Sequence, residues 1–282
     1  MSLIKTAVLA FGICTPVFVA AQQTSPMPSN AAPGAAGIAS PGAAPPQEAP
    51  PSASDRRTMI GISGSYENLS GGQPSWHDYS LRLNQNYGSR RILDAAVTQA
   101  RRFDQSDTQF SGMYSLPVAP KLNASFEGNL SPTHRVLPRY ALGGRLQYEV
   151  APTWLVHGGL KTTDFNDVRV NQGLVMLEHY FSDFSWAVAF RPSRAFGSTA
   201  NSTELRGGYY YADRNSVSLS LSSGREATSI GTGIVLTDVE TIAVFGRHWL
   251  NRNWSANYAV GHTRQGDFYT RNGITVGIDY AF

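Results

Sequence analysis

The chain has 282 residues, 23 Lys and Arg against 20 Asp and Glu, a formal net charge of +3 and one cysteine. The basic residues are scattered rather than gathered into a stripe, which argues against a duplex nucleic-acid binder. The length leaves room for one large β domain, and a lone cysteine gives no disulfide within the chain.

The amino terminus carries Lys5, an apolar run from Ala7 to Val19 and Val19-Ala20-Ala21 before Gln22. This is the layout of a secretory signal over residues 1–21, cleaved after Ala21. The run falls short of the roughly 20 apolar residues of a spanning helix, and it contains Gly12 and Pro16. Phe11 and Ile13 before Cys14 do not form the small-residue box of a lipoprotein, so Cys14 leaves with the signal. Residues 22–55 turn to Pro, Ala, Ser and Gly, with Pro26, Pro28, Pro33, Pro41, Pro45, Pro46, Pro50 and Pro51. Such a segment cannot bury enough surface to offset its ordering, so a disordered periplasmic linker is expected, by composition a spacer rather than a partner-binding arm.

Residues 56–282 alternate apolar and polar, the period of a strand with two different faces. Leu122, Ala124, Phe126, Gly128 and Leu130 alternate with Asn123, Ser125, Glu127 and Asn129. Tyr140, Leu142, Leu146, Tyr148 and Val150 alternate with Arg139, Arg145, Gln147 and Glu149, and Val217, Leu219 and Leu221 with serines from Ser216 to Ser222. Alternation alone fits a soluble sandwich as well as a barrel. Segments of about ten residues, against about five or six in globular sheets, favour strands that cross a bilayer. Aromatic residues at the segment ends match interfacial girdles. The expected fold is therefore all-β, a transmembrane up-and-down antiparallel β-barrel.

Six tight turns are expected, at Gly88-Ser89, Val118-Ala119-Pro120, Ala151-Pro152, Ser182-Asp183, Asp213-Arg214 and Asn251-Arg252. Longer or more polar links fall around Ser70 to Pro74, Ser131 to Pro138, Pro192 to Ser202, Arg225 to Asp238 and Arg264 to Asp267, with short ones near Asp104 to Asp107 and Asn166 to Asp167. Short periplasmic turns and longer outer links with both termini in the periplasm give about 14 strands, with 12 the alternative. Register stays open in Ile92 to Phe103, Val168 to Tyr180 and Val239 to Trp249, where apolar residues occupy both parities.

The chain ends on Ile278, Tyr280 and the terminal Phe282, alternating apolar residues that resemble the insertion signal read by the barrel-assembly machinery. Together with Tyr140-Ala141-Leu142-Gly143-Gly144, Leu177-Glu178-His179-Tyr180-Phe181-Ser182 and the closing Val276-Gly277-Ile278-Asp279-Tyr280-Ala281-Phe282, the segment from Thr58 to Phe282 resembles the YaiO family of outer-membrane β-barrels. The resemblance implies a barrel in the outer membrane of a Gram-negative bacterium, with the N-terminal arm in the periplasm and a link to exopolysaccharide export. Relatives with a helical-repeat periplasmic region differ from this chain, which has only the Pro-rich arm.

A charge facing lipid at mid-bilayer costs roughly 2–4 kcal/mol, so charges on the opposite parity are expected to line the lumen. These are Arg82, Asp94, Arg102, Glu127, Arg139, Arg145, Glu149, Lys161, Arg169, Arg206 and Asp279, a basic excess. The excess fits a narrow, mildly basic pore for saccharides or anionic solutes. Alternatively, Arg–carboxylate pairs plug the lumen of a structural or envelope-assembly barrel.

His77, His134, His157, His179, His248 and His262 show no paired metal-ligand spacing, so neither metal nor cofactor is expected. A third reading, an outer-membrane lipid hydrolase, needs a Ser, a His and an orienting group together near the outer rim. His262 has no evident Ser one strand over, and a non-enzymatic protein is expected. Gly71-Gly72 and Gly231-Thr232-Gly233 lack the helix and Lys of a phosphate-cradling loop. Trp76, Trp154, Trp186, Trp249 and Trp254, at strand ends, are expected as interface anchors. The expected partners are outer-membrane lipid, the assembly machinery during insertion and a saccharide or anionic solute.

Overall fold

The structure is a computed structural model that describes residues 56–282 apart from residues 89, 167, 213 and 230–233. The expected signal and Pro-rich linker lie outside the described residues, as does Gly231-Thr232-Gly233. The strands are β1 (Arg56–Leu69), β2 (Trp76–Tyr87), β3 (Ile92–Arg102), β4 (Gln105–Ala119), β5 (Leu122–Leu130), β6 (Tyr140–Ala151), β7 (Trp154–Asp164), β8 (Arg169–Phe181), β9 (Phe184–Ala195), β10 (Ser198–Tyr211), β11 (Asn215–Ser229), β12 (Ile234–Trp249), β13 (Trp254–Gln265) and β14 (Tyr269–Ala281). Each pairs antiparallel with its sequence neighbours, and β1 pairs with β14 from Met59↔Ala281 to Leu69↔Arg271. The sheet thus closes into a fourteen-stranded barrel with no free edge, which satisfies backbone groups without water.

The two faces are inverted relative to a water-soluble domain. Ile62, Phe126, Leu142, Leu160 and Val175 stand outward and exposed, Leu160 at 77 %. On the opposite parity His157, Asp107, Glu226 and Asp279 are buried. A surface of contiguous exposed apolar side chains around a polar interior is stable only against hydrocarbon. Inward apolar residues form small local clusters instead of one core, Met176 with Ala187 and Ala189, and Ala243 with Phe245 and Ala259. They explain why β8 and β12 read as apolar on both parities: their inward positions touch other wall residues.

The six expected tight turns all fall at strand junctions, with Val118, Ala119 and Ala151 still inside the ends of β4 and β6 and residues 89 and 213 outside the described set. Left-handed φ values at Thr153 (68°), Ser182 (48°) and Ala212 (47°) bend the chain there. Two expected links are instead largely strand. From Pro192 to Ser202 the chain stays extended except at Phe196 (φ 51°) and Gly197 (φ 76°), whose paired positive angles make the two-residue hairpin turn compatible with strand twist. Arg225 to Ser229 and Ile234 to Asp238 likewise belong to β11 and β12. Pro192 misled because it has no N–H for a ladder. The β8–β9 pairing skips from Gln172↔Ser193 to Val175↔Phe190 around it, and Gly173 leaves room for its ring.

At the turn end an aromatic belt faces outward. Trp154 stacks on His179 at 4.0 Å, Phe184 on Tyr209 at 5.0 Å, His248 on Tyr258 at 5.4 Å, and Tyr280 meets Phe282 edge-on at 5.0 Å. Trp186 and Trp254 belong to this belt. Trp76 and Trp249 do not anchor an interface as expected: Trp76 is buried inward, and Trp249 lies on the inward parity of β12 beneath Arg57 and Arg214 at 4.5 and 4.2 Å.

Candidate functional site

The inward wall is organised by register. Asp279 on β14, Gly61 on β1 and Arg82 on β2 are in one row, and the Arg82 guanidinium crosses over Gly61 to reach Asp279 Oδ1 at 2.7 Å. Any Cβ at Gly61 would overlap that carboxylate. The device recurs where Glu127 on β5, Gly143 on β6 and Lys161 on β7 share a row: Lys161 Nζ bonds Glu127 Oε1 at 2.7 Å, and a Cβ on Gly143 would sit 2.9 Å from Glu127 Oε1. A glycine on the middle strand is therefore a notch in which a two-strand ion pair lies along the wall.

Around these bridges the charges form groups. Asp279 also accepts from Asn257 Nδ2 at 3.0 Å and Ser255 Oγ at 3.3 Å, with Arg247 at 3.9 Å, while Asp94 accepts from Asn84 at 2.7 Å. Glu204 binds both Arg191 and Arg206 at 2.7 Å and accepts from Ser220 Oγ at 3.0 Å. Glu178 contacts His157 Nε2 at 3.0 Å and accepts from Tyr180 Oη at 2.7 Å. Arg145 stands in the field of Glu127 and Glu178 and of Arg191 and Arg206, so three guanidiniums from β6, β9 and β10 act on one region.

Toward the loop end Arg271 pairs with Glu67 at 2.7 Å, both side chains only 7 % exposed, and Arg102 pairs with Asp78 at 3.2 Å. The Trp76 ring has both guanidiniums 4.9 Å from its centre, favourable for cations over an aromatic face. Asp107 Oδ2 accepts from the backbone N–H of Val136 (2.7 Å) and Leu137 (2.9 Å), which holds the Ser131 to Arg139 connection against the inward face of β4.

Of the charges expected on the wall, Arg82, Asp94, Arg102, Glu127, Arg145, Glu149, Lys161, Arg206 and Asp279 fall on the inward parity. Arg139 precedes β6 and is exposed at the rim. Arg169 is a correction: it faces outward, 61 % exposed, paired with Asp164 and donating to Tyr140 Oη. Its strand carries apolar residues on both parities, which hid the register. Sequence reasoning missed Glu67, Asp78, Asp107, Glu178, Arg191, Glu204, Glu226, Arg247 and Arg271, of which Asp107 and Glu226 lie in segments expected as links. With them the wall is close to balanced rather than basic throughout.

Among the described residues no group of three His, Cys, Asp or Glu could hold a metal. Ser75 Oγ lies 3.0 Å from His77 Nε2, and His262 Nδ1 lies 2.8 Å from Asn272 Oδ1. These are two separate dyads on different strands, neither with the Ser, His and orienting group of acyl transfer together. His179 and His248 sit in the outward belt.

By shape the chain is similar to CymD, a monoaromatic hydrocarbon channel, at TM-score 0.52 and 11 % identity over 79 % of this chain and 87 % of that one. It is also similar to Omp33 of Acinetobacter baumannii, an outer membrane protein, at TM-score 0.51 and 9 % identity over 80 % and 99 %. No curated protein matches it in sequence. Residues 57–229 match the YaiO membrane beta barrel domain, so this chain, a closed fourteen-stranded outer-membrane barrel with a charged inner wall, belongs to the YaiO family.

Proposed function

We propose that the barrel is a narrow, non-enzymatic passage across the outer membrane for small anionic solutes, acidic saccharides among them. One observation carries the reading: the Arg82–Asp279 and Lys161–Glu127 bridges lie in glycine notches, so these two ion pairs run along the wall instead of across the lumen. Beside them Arg145, Lys161, Arg191 and Arg206 outnumber Glu127, Glu178 and Glu204 by one, a locally basic stretch that favours anions. Short turns support a periplasmic side for the aromatic belt, and a periplasmic N-terminal arm is part of the same proposal. A barrel of this fold serves as a channel in CymD, and exopolysaccharide export is the process in which acidic sugars would meet such a wall.

The test is single-channel recording of refolded protein in planar bilayers. Small discrete openings with mild anion preference are expected, and the triple Arg145→Gln, Arg191→Gln, Arg206→Gln variant should move the reversal potential toward cations. No openings at any salt concentration would overturn the passage. That outcome would favour a structural barrel, for which the Trp76–Arg102–Arg271–Glu67 group and the connection held by Asp107 speak. The non-enzymatic part is checked separately: lipid release from labelled outer-membrane vesicles should stay at background.

A further inference from the structure

The outward face is asymmetric. Its turn end has the aromatic belt, but outward positions at the loop end hold Arg101, Arg169, Arg194, Arg225 and Arg264. Next to this arginine zone, on its turn side, lies a depression of about 490 Å³ over β12, β13, β14 and β1, inside the roughly 300–1,000 Å³ of small-molecule sites. Its walls are Tyr66 on one side and Ile242 and Val244 on the other, with short Val260 and Ile274 between them over Gly261 and Gly273. Tyr66 is held by an edge contact with His77 at 5.1 Å.

Register divides the depression by polarity. Tyr66, Ile274, Val260 and Val244 make one row across the four strands. Two residues nearer the loops the row is Asn68, Asn272, His262 and Ile242, and beyond it come Arg264 and Glu240. Apolar, then hydrogen-bonding, then charged is the order of acyl chain, linkage and headgroup in a lipid. With Nδ1–H donated to Asn272 Oδ1, His262 keeps Nε2 for a ligand. The Arg264 side chain is 57 % exposed and only 3.7 Å from Glu240, a loose pair on the outer surface. An anionic headgroup displaces Glu240 from this loose pair, because phosphate suits a guanidinium better than a carboxylate 3.7 Å away.

We propose that this face seats one phosphorylated acyl lipid of the outer leaflet, its chain over Val260 and Ile274 and its phosphate at Arg264. The seat is on the outside of the barrel and is independent of whether the lumen conducts.

Native mass spectrometry of the full-length protein in detergent tests it, with a bisphosphorylated hexa-acyl disaccharide lipid and its dephosphorylated form as probes. One phosphorylated lipid should be retained per barrel. Val260→Trp, which fills the depression, should lose it, and Leu160→Trp, on an outward face elsewhere, should keep it. Arg264→Gln should weaken the phosphorylated probe about tenfold, the scale of a charge-assisted hydrogen bond, and leave the dephosphorylated one unchanged. Ile274→Phe is a second filling variant, so a folding failure in one leaves the other decisive. Wild-type retention by a folded filling variant, equal binding of the two probes, or a second copy of the chain in place of lipid would overturn the proposal.

Discussion

A glycine in a strand usually weakens it, yet Gly61 and Gly143 are the positions on which the wall charges depend. Gly143→Val should push Glu127 and Lys161 off the wall and into the lumen, and single-channel conductance should fall while the barrel still forms. The Glu67–Arg271 pair sets a different cost, because both ends are nearly inaccessible. Arg271→Ala leaves a buried carboxylate without its cation and should destabilise the barrel by about 3–5 kcal/mol, read from urea unfolding in lipid. A Glu67→Gln, Arg271→Met double variant should recover most of that loss, since two neutral side chains need no compensation. Neither role was legible from residue identity. In sequence Gly143 is one member of an alternating run, and its importance comes from which residues the two neighbouring strands set beside it.

At the level of strands, parity decides what each position tolerates. Leu160 faces hydrocarbon while its neighbour Lys161 faces the wall, one residue apart on β7. Leu160→Arg should cost roughly 2–4 kcal/mol of folding free energy, measured by the same unfolding assay, against little for Lys161→Arg. The connection from Ser131 to Arg139 is tied to the inward face of β4 chiefly by Asp107, which accepts from two of its backbone N–H groups, with Gln109 Nε2 donating to Ser131 Oγ and Asn166 Nδ2 to His134 O. Asp107→Ala should release it and raise conductance or its fluctuations without removing a strand. Clean alternation made β5, β6, β11 and β14 legible. β3, β8 and β12 were legible as strands but not in register, because inward Ala, Val and Met residues pack against other inward residues and imitate a lipid face. The Phe196-Gly197 turn escaped notice because Pro192 and the polar residues after it look like a loop when the β8 partner that steps around the proline is not known.

Across the whole molecule, closure is carried by β1 against β14, the two ends of the described chain. Phe282 N–H donates to Thr58 O at 2.9 Å, so the last residue is part of the seam. Deleting Tyr280 to Phe282 should lower the amount of folded barrel recovered from the outer membrane, measured as the protease-resistant fraction, because the seam loses pairs and the belt loses its final edge-on contact. The balance of wall charge is also a property of the whole. A basic excess appears when strands are read singly, and near-balance appears once Glu67, Glu178, Glu204 and Glu226 are placed on the inward side.

The sequence by itself determined the solvent of each face: a period of two sustained over strands of bilayer length, ending in an apolar terminus, requires hydrocarbon outside and a polar interior. It also located the tight turns, since these are local features of a few residues. Only the tertiary structure decided which charges meet, which glycines make room for them and where the outer face is hollowed. Some of those relations join residues about 200 positions apart, such as Arg82 with Asp279 and Glu67 with Arg271, and these exist only after the first strand has found the last.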